Sequence, residues 1–282
     1  MTRKSQSGNN LSPRAWFAAQ EPILGPDGQA ALRGVSIFVA GAGGLGSSIA
    51  TFAARAGVER IYQCDPQLVE ADNLNRIFAG TRHLGSRKVI AVKELLLSFD
   101  RLASDPEFTY TPLLCPVEHG DAQPYLERAD FIISCPNSLA ARRYLARYAV
   151  ENAKTLLNVG FSCSPEDFMG GEISLYRPRQ VGLACPACVS LNAADQADVA
   201  ADPLFYPPLA ILAGLAVHLL TAEITNFDRQ GEARPNFFLY DGFAHELRGL
   251  RVPRDPQCTI CGSPGTGVTV HEGSLLAAEG KR

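Results

Sequence analysis

Two cysteine pairs, Cys185-Pro-Ala-Cys188 and Cys258-Thr-Ile-Cys261, carry the plainest chemical signal in the chain. A spacing of two lets both sulfurs of one turn face a single ion, and four thiolates form the closed tetrahedral set that structural Zn2+ takes. The long interval between the pairs means that such an ion would staple the end of the chain onto the middle of its C-terminal half. A single pair could instead be a redox dithiol, but two pairs without a thioredoxin-like context favour the metal. Cys64, Cys115, Cys135 and Cys163 lie in or beside apolar segments and read as packed thiols.

The second constellation is Gly41, Gly43 and Gly46, a Gly-x-Gly-x-x-Gly run between an apolar strand and an alanine-rich helix. Without side chains the loop can turn sharply and let a phosphate reach the N–H groups at the positive end of that helix. Asp65 ends the next strand, about 20 residues beyond the glycines, where a carboxylate can accept hydrogen bonds from ribose hydroxyls. The bland alternative is a tight strand-to-helix turn that binds nothing. The pattern alone would equally describe an NAD-dependent dehydrogenase.

These groups need a scaffold, and the chain supplies one. VSIFVA (35–40) and RIYQCD (60–65) are short apolar strands around the helix at IATFAARAG, the arrangement of a right-handed βαβ unit. The theme repeats: a helix is expected over 86–99, a strand near 108–113, a short helix near 122–127, the buried strand FIISC and a helix over 139–150. LLNVGF is a further strand, and GGEISLYRP begins a segment of antiparallel character. The expected fold is α/β: a Rossmann-like doubly wound sheet, mostly parallel, with antiparallel strands and the zinc site in its C-terminal part. Residues 1–12 and 263–282 are expected to be disordered. Between them one domain is expected over 13–262, with a nucleotide-binding half over about 33–160 and a zinc-containing half over about 161–262.

Bulk properties narrow the function. The 282 residues are 46% apolar and 20% charged, with a net charge of −3, and the pI is near 6.0, so there is no broad basic field for nucleic acid. The most apolar stretch, 208–220, reads as a buried helix rather than a membrane span. The basic, polar N-terminus lacks the apolar run of a secretory signal, so a cytoplasmic location is expected, where free cysteines serve metal binding or packing.

The segment DPQLVEADNLNRIFAGTRHLGSRKVIAVKELL resembles the ThiF/MoeB/HesA family and the adenylation domains of ubiquitin-activating enzymes. Their pattern is an Asp, a few residues, Ser-Asn-Leu-Asn-Arg-Gln and, further on, Gly-x-x-Lys. The resemblance runs from about residue 20 to 262. It implies ATP-dependent adenylation of a C-terminal carboxylate, usually that of a small ubiquitin-fold carrier protein ending in Gly-Gly, or of a peptide. By matching position it places Gly44 beneath the nucleotide, Asp65 on the ribose, and Asp72, Asn73 and Arg76 along the phosphates. Arg76 and Lys88 become the cations that neutralise charge building on the phosphates, although either alone would pass for a solvated surface cation. The resemblance also implies a homodimer and the same four-cysteine zinc site.

Several positions depart from that pattern. Asn137 stands where the family has its Mg2+-binding Asp, so a neutral oxygen would face the metal. Phe17-Ala18-Ala19-Gln20 replaces Tyr-Ser-Arg-Gln, whose Arg crosses the dimer to the ATP; Arg14 is the nearest substitute. Gln67 replaces a second acid after Asp65, and Ile77 replaces a Gln. The crossover segment LNAADQADVAADPLFYPPLAILAG contains no Cys, which argues against a thioester formed there. Two readings follow: an adenylating enzyme that passes its acyl adenylate to a separate acceptor, or a degenerate, non-catalytic member that binds a nucleotide or a partner, as half of a heterodimer.

Overall fold

Short β-branched runs and alanine- or leucine-rich stretches alternate along the chain, and strand and helix follow them. A computed structural model describes residues 16–191, 203–230 and 233–262. The expectations for residues 1–12, for Arg14, for residues 192–202 of the crossover segment and for 263–282 lie outside these residues. The elements are α1 (Glu21–Gly34), β1 (Ser36–Ala40), α2 (Gly44–Ala56), β2 (Arg60–Cys64), α3 (Lys88–Leu97), α4 (Asp100–Ser104), β3 (Thr109–Leu113), α5 (Gln123–Arg128) and β4 (Phe131–Ser134). They continue with α6 (Leu139–Glu151), β5 (Thr155–Ser164), β6 (Phe168–Tyr176), α7 (Pro186–Val189), α8 (Tyr206–Thr225), β7 (Phe237–Asp241) and β8 (Glu246–Leu250).

The strands form one sheet in the order β3-β2-β1-β4-β5-β6-β7-β8. From β3 to β5 the pairings are parallel, because helices return the chain between strands. After β5 a tight turn at Ser164–Asp167 reverses the chain, and β5 to β8 pair antiparallel. The two halves expected from sequence therefore share one continuous sheet. Every residue of β1 is buried, as a parallel strand covered on both faces requires.

Helices cover the two faces as separate layers. Ile37, Val39, Ile133, Leu157 and Ile173 pack with Ile49, Ala53, Leu212 and Ala216 of α2 and α8. On the other face Phe38, Ile132 and Leu156 pack with Leu126 and Leu145 of α5 and α6. Each fully buried Leu, Ile or Phe contributes about 1.5–3 kcal/mol.

Helix α8 is long and apolar enough to cross a membrane by length and composition. Here it lies along α2 in the core, with Leu209, Leu212, Ala216 and Leu220 buried. Its C-terminal end is pinned by charge: Glu223 accepts hydrogen bonds from Arg177 at 2.8 and 2.9 Å and from Arg234, which also donates to Asp228 at 2.8 Å. The sequence reading does not mark α1, the short helices α4 and α7, or the strands β7 and β8. Gly25 (φ 72°) and Pro26 interrupt α1 and read locally as a turn. Strand β8 is exposed at all five positions, so it shows no buried face, and its neighbour β7 is mostly half-buried.

Candidate functional site

Strand β1 pairs with β2 on one side and β4 on the other, while α2 leaves over one face and α6 over the opposite one. This reversal opens a crevice beyond the carboxyl ends of the strands. A cleft of about 370 Å³ occupies it and brings together Gly41, Gly43, Gly44, Asp65, Asn73, Arg76, Lys88 and Asn137. Gly46 and Asp72 do not line it.

The glycines have distinct jobs. Gly41 has φ 99°, and a Cβ there would lie 2.8 Å from the Cys135 carbonyl oxygen. Gly43 faces open space, so a ligand can come against the backbone. At Gly44 a Cβ would meet Leu209 of α8 at 2.6 Å. At Gly46 it would lie 2.0 Å from the Gly41 oxygen, so this glycine lets helix and strand pack rather than touching a ligand. Helix α2 begins without a side-chain cap, which leaves its first-turn N–H groups for an anion.

Asp65 is buried and fixes the turn from beneath: its carboxylate accepts from the Ala42 N–H and the Gln67 N–H, both at 2.7 Å. Asp72, on a 3₁₀ turn, is exposed and holds the Arg76 guanidinium from outside the cleft, at 3.3 Å to its carboxylate. Its neighbour Asn73 is buried and turned inward. Lys88 opens α3 and is 8% exposed. Its Nζ donates to Gln67 Oε1 at 2.7 Å, and among the described residues no carboxylate pairs with it. Buried cations are ordinarily paired with an anion, which Gln67 is not.

Sequence reasoning missed the support behind this shell. Gln63 Nε2 donates to the Gly41 carbonyl at 2.7 Å, and the buried Tyr110 hydroxyl donates to Gln63 Oε1 at 2.7 Å. A glutamine inside the apolar strand RIYQC was the available signal. Arg142 of α6 donates from Nε to the Pro136 carbonyl at 2.8 Å and from NH1 to Asn158 Oδ1 at 2.9 Å, holding the loop that carries Asn137. Burial pushes the Cys135 thiol up to about 12 and raises Cys64 as well, so neither cysteine in the cleft is a nucleophilic thiolate.

Mg2+ finds few anionic ligands here. It prefers anionic oxygens, but Asn137 offers an amide, and each Asp65 oxygen, already holding one backbone N–H, has its remaining acceptor capacity at the position that the family resemblance gives to the ribose. The other lining carboxylate, Glu118, is exposed on the loop after β3. The segment around Ala19 sits elsewhere: Phe17 packs under Gly57, and Gln20 donates to the Ala56 carbonyl at 2.7 Å. That is the far end of α2, about 20 Å from the glycine turn at 1.5 Å per residue.

The four cysteines do fit a metal. Their sulfurs lie within 4.8 Å of one another, with separations of 3.9, 3.7 and 3.3 Å for Cys185–Cys188, Cys185–Cys258 and Cys188–Cys261. A tetrahedron with Zn–S near 2.3 Å has edges of about 3.8 Å. Main-chain bonds from Ala184 to Val252 and from Arg254 to Gly182 bring the two knuckles together. Hydrogen bonds from Cys185 and Cys188 pull the Cys261 thiol down to about 4, while the same sharing pushes Cys185 up. Four sulfurs this close do not all ionise without a cation among them.

The profile of the ThiF family matches residues 17–260. The chain is 23% identical over 238 residues to the molybdopterin-synthase adenylyltransferase of Escherichia coli K12, covering 84% of this chain and 90% of that one. It is 25% identical over 251 residues to the sulfur carrier protein adenylyltransferase of Thermus thermophilus, covering 87% and 89%. Against the adenylyltransferase and sulfurtransferase uba4 of Aspergillus fumigatus it is 26% identical over 254 residues, but spans 49% of that longer protein. Among solved structures, E. coli MccB with ATP shares the fold at a TM-score of 0.70 and 17% identity, over 91% of this chain and 76% of that one.

Proposed function

The chain belongs to the ThiF family, and from that premise we propose that it is an ATP-dependent adenylyltransferase. Its substrate is the C-terminal carboxylate of a small ubiquitin-fold carrier protein, or of a peptide, with a Gly-Gly-like tail. The observation that carries this reading is Lys88, a buried cation with only a neutral partner, beside a glycine turn and a second cation at Arg76. Such a cleft suits a polyanion. Homologues named as adenylyltransferases, two of them matched over most of their length, support the same reading.

In this reading the ribose hydroxyls meet the Asp65 carboxylate, whose orientation the two backbone N–H groups set. The phosphates lie against the first turn of α2, with Lys88 and Arg76 on them. A carboxylate oxygen attacks the α-phosphorus, the bond to the bridging oxygen breaks, and pyrophosphate leaves with the electron pair. Negative charge grows on the phosphate oxygens in that step, and fixed cations stabilise it more than they stabilise bound ATP. The acyl adenylate then passes to an external acceptor, because the crossover segment carries no cysteine. Zn2+ at Cys185, Cys188, Cys258 and Cys261 is structural and closes the C-terminal half. The chain works in the cytoplasm as a homodimer, the assembly that the family resemblance implies.

One observation favours a second reading, a non-catalytic nucleotide- or partner-binding member: the amide at Asn137 where the family pattern has an acid. Parallel titrations with ATP and NAD test the proposal. ATP binding lost in Asp65→Ala and Lys88→Ala, with no NAD binding, is expected; NAD binding without ATP binding would sink it.

A further inference from the structure

Resting on the nucleotide reading, we propose that this cleft neutralises the phosphates with its own cation and takes ATP without needing Mg2+ as a bridge. Magnesium is ordinarily held by one or two carboxylates together with phosphate oxygens and water. Of the two carboxylates that line the cleft, Asp65 is turned by two backbone N–H groups and committed to the ribose hydroxyls in the nucleotide reading, and Glu118 is exposed. The loop after β4 brings an amide to the cleft, at Asn137, rather than an acid.

The cationic side shows the opposite balance. Lys88 is 8% exposed, and its ammonium is met by Gln67 Oε1 at 2.7 Å, an acceptor that orients it without cancelling its charge. Arg76 differs, because Asp72 already pairs with it. A carboxylate at position 67 would neutralise Lys88, and a carboxylate at position 137 would recruit a divalent cation. Amides stand at both, and both changes move the cleft in one direction: its positive charge comes from the chain, and its call on an added cation is reduced.

The test is ATP affinity with and without magnesium. Zinc-loaded protein is exchanged into magnesium-free buffer without chelator, so that the cysteine site is kept, and titrated with ATP at constant ionic strength. The two affinities should agree within about fivefold. Gln67→Glu should weaken magnesium-free binding about tenfold, and Asn137→Asp should make added MgCl2 strengthen binding about tenfold, with zinc content and Tm reporting that both variants fold. A gain of more than about fivefold on adding magnesium to the unaltered protein overturns the inference while leaving the nucleotide reading intact. No ATP binding under either condition removes both.

Discussion

Lys88→Met separates a binding cation from a structural one, because the two roles predict opposite signs. Methionine keeps the length and apolar stem of lysine but removes the ammonium. In the free protein Lys88 is buried with a single neutral acceptor, Gln67, which is itself exposed and can turn to water. Removing the charge relieves desolvation, so stability should hold or rise by up to about 1 kcal/mol, or about 2–4 °C in Tm. Binding should move the other way. A charge-assisted hydrogen bond to phosphate contributes about 1.5–3 kcal/mol, which is about 10- to 150-fold in Kd. Thermal unfolding and ATP titration of the same preparation read both quantities. A fall of several degrees in Tm with unchanged ATP affinity would show that Lys88 belongs to the scaffold, and the charge argument for the cleft would fail.

Four further outcomes follow from named contacts. Cys258→Ser should take the zinc-to-protein ratio, measured by elemental analysis, from near one to near zero and lower Tm by about 5 °C or more. Gly46→Ala puts a Cβ 2.0 Å from the Gly41 oxygen, so it should cost about 1–3 kcal/mol in urea unfolding and weaken ATP binding, since the turn itself must move. Glu223→Ala leaves the buried Arg177 without a carboxylate and Arg234 with Asp228 alone, and should cost about 3–5 kcal/mol by the same assay. Burial raises the Glu172 pKa; a carboxyl raised on folding contributes stability below its unfolded value and loses it as pH rises through the folded one. Glu172→Gln should therefore match the parent at about pH 4 and become relatively more stable toward neutrality; a pH-independent difference in Tm would contradict this.

Much of the site was legible because it depends on local order in the chain. The glycine turn needs residues without Cβ directly after a strand, Asp65 ends the next strand, and Cys-x-x-Cys is one turn of backbone, so spacing alone identifies each. What stayed hidden depends on three-dimensional neighbours. Asp72 and Asn73 are adjacent in sequence, yet on a 3₁₀ turn successive residues point about 120° apart, so one faces solvent and the other the cleft. Gln67 was visible as a departure, but its contact with Lys88 crosses 21 residues. Among the described residues strand β8 pairs only with β7, and it is exposed along its length, so neither alternation nor a continuous apolar run marked it. Helix α1 was masked by Gly25-Pro26, whose local signal is a turn although α1 continues packing on α8.

Adenylation of a free carboxylate is the claim on which the rest depends, and ATP–pyrophosphate exchange measures it directly. Labelled pyrophosphate is to be incorporated into ATP in the presence of a carrier protein ending in Gly-Gly, beside the same carrier with an amidated C-terminus. The account predicts exchange with the free carboxylate, none with the amide and none without carrier, and a loss of exchange in Lys88→Met. Equal exchange with the amidated carrier would contradict it.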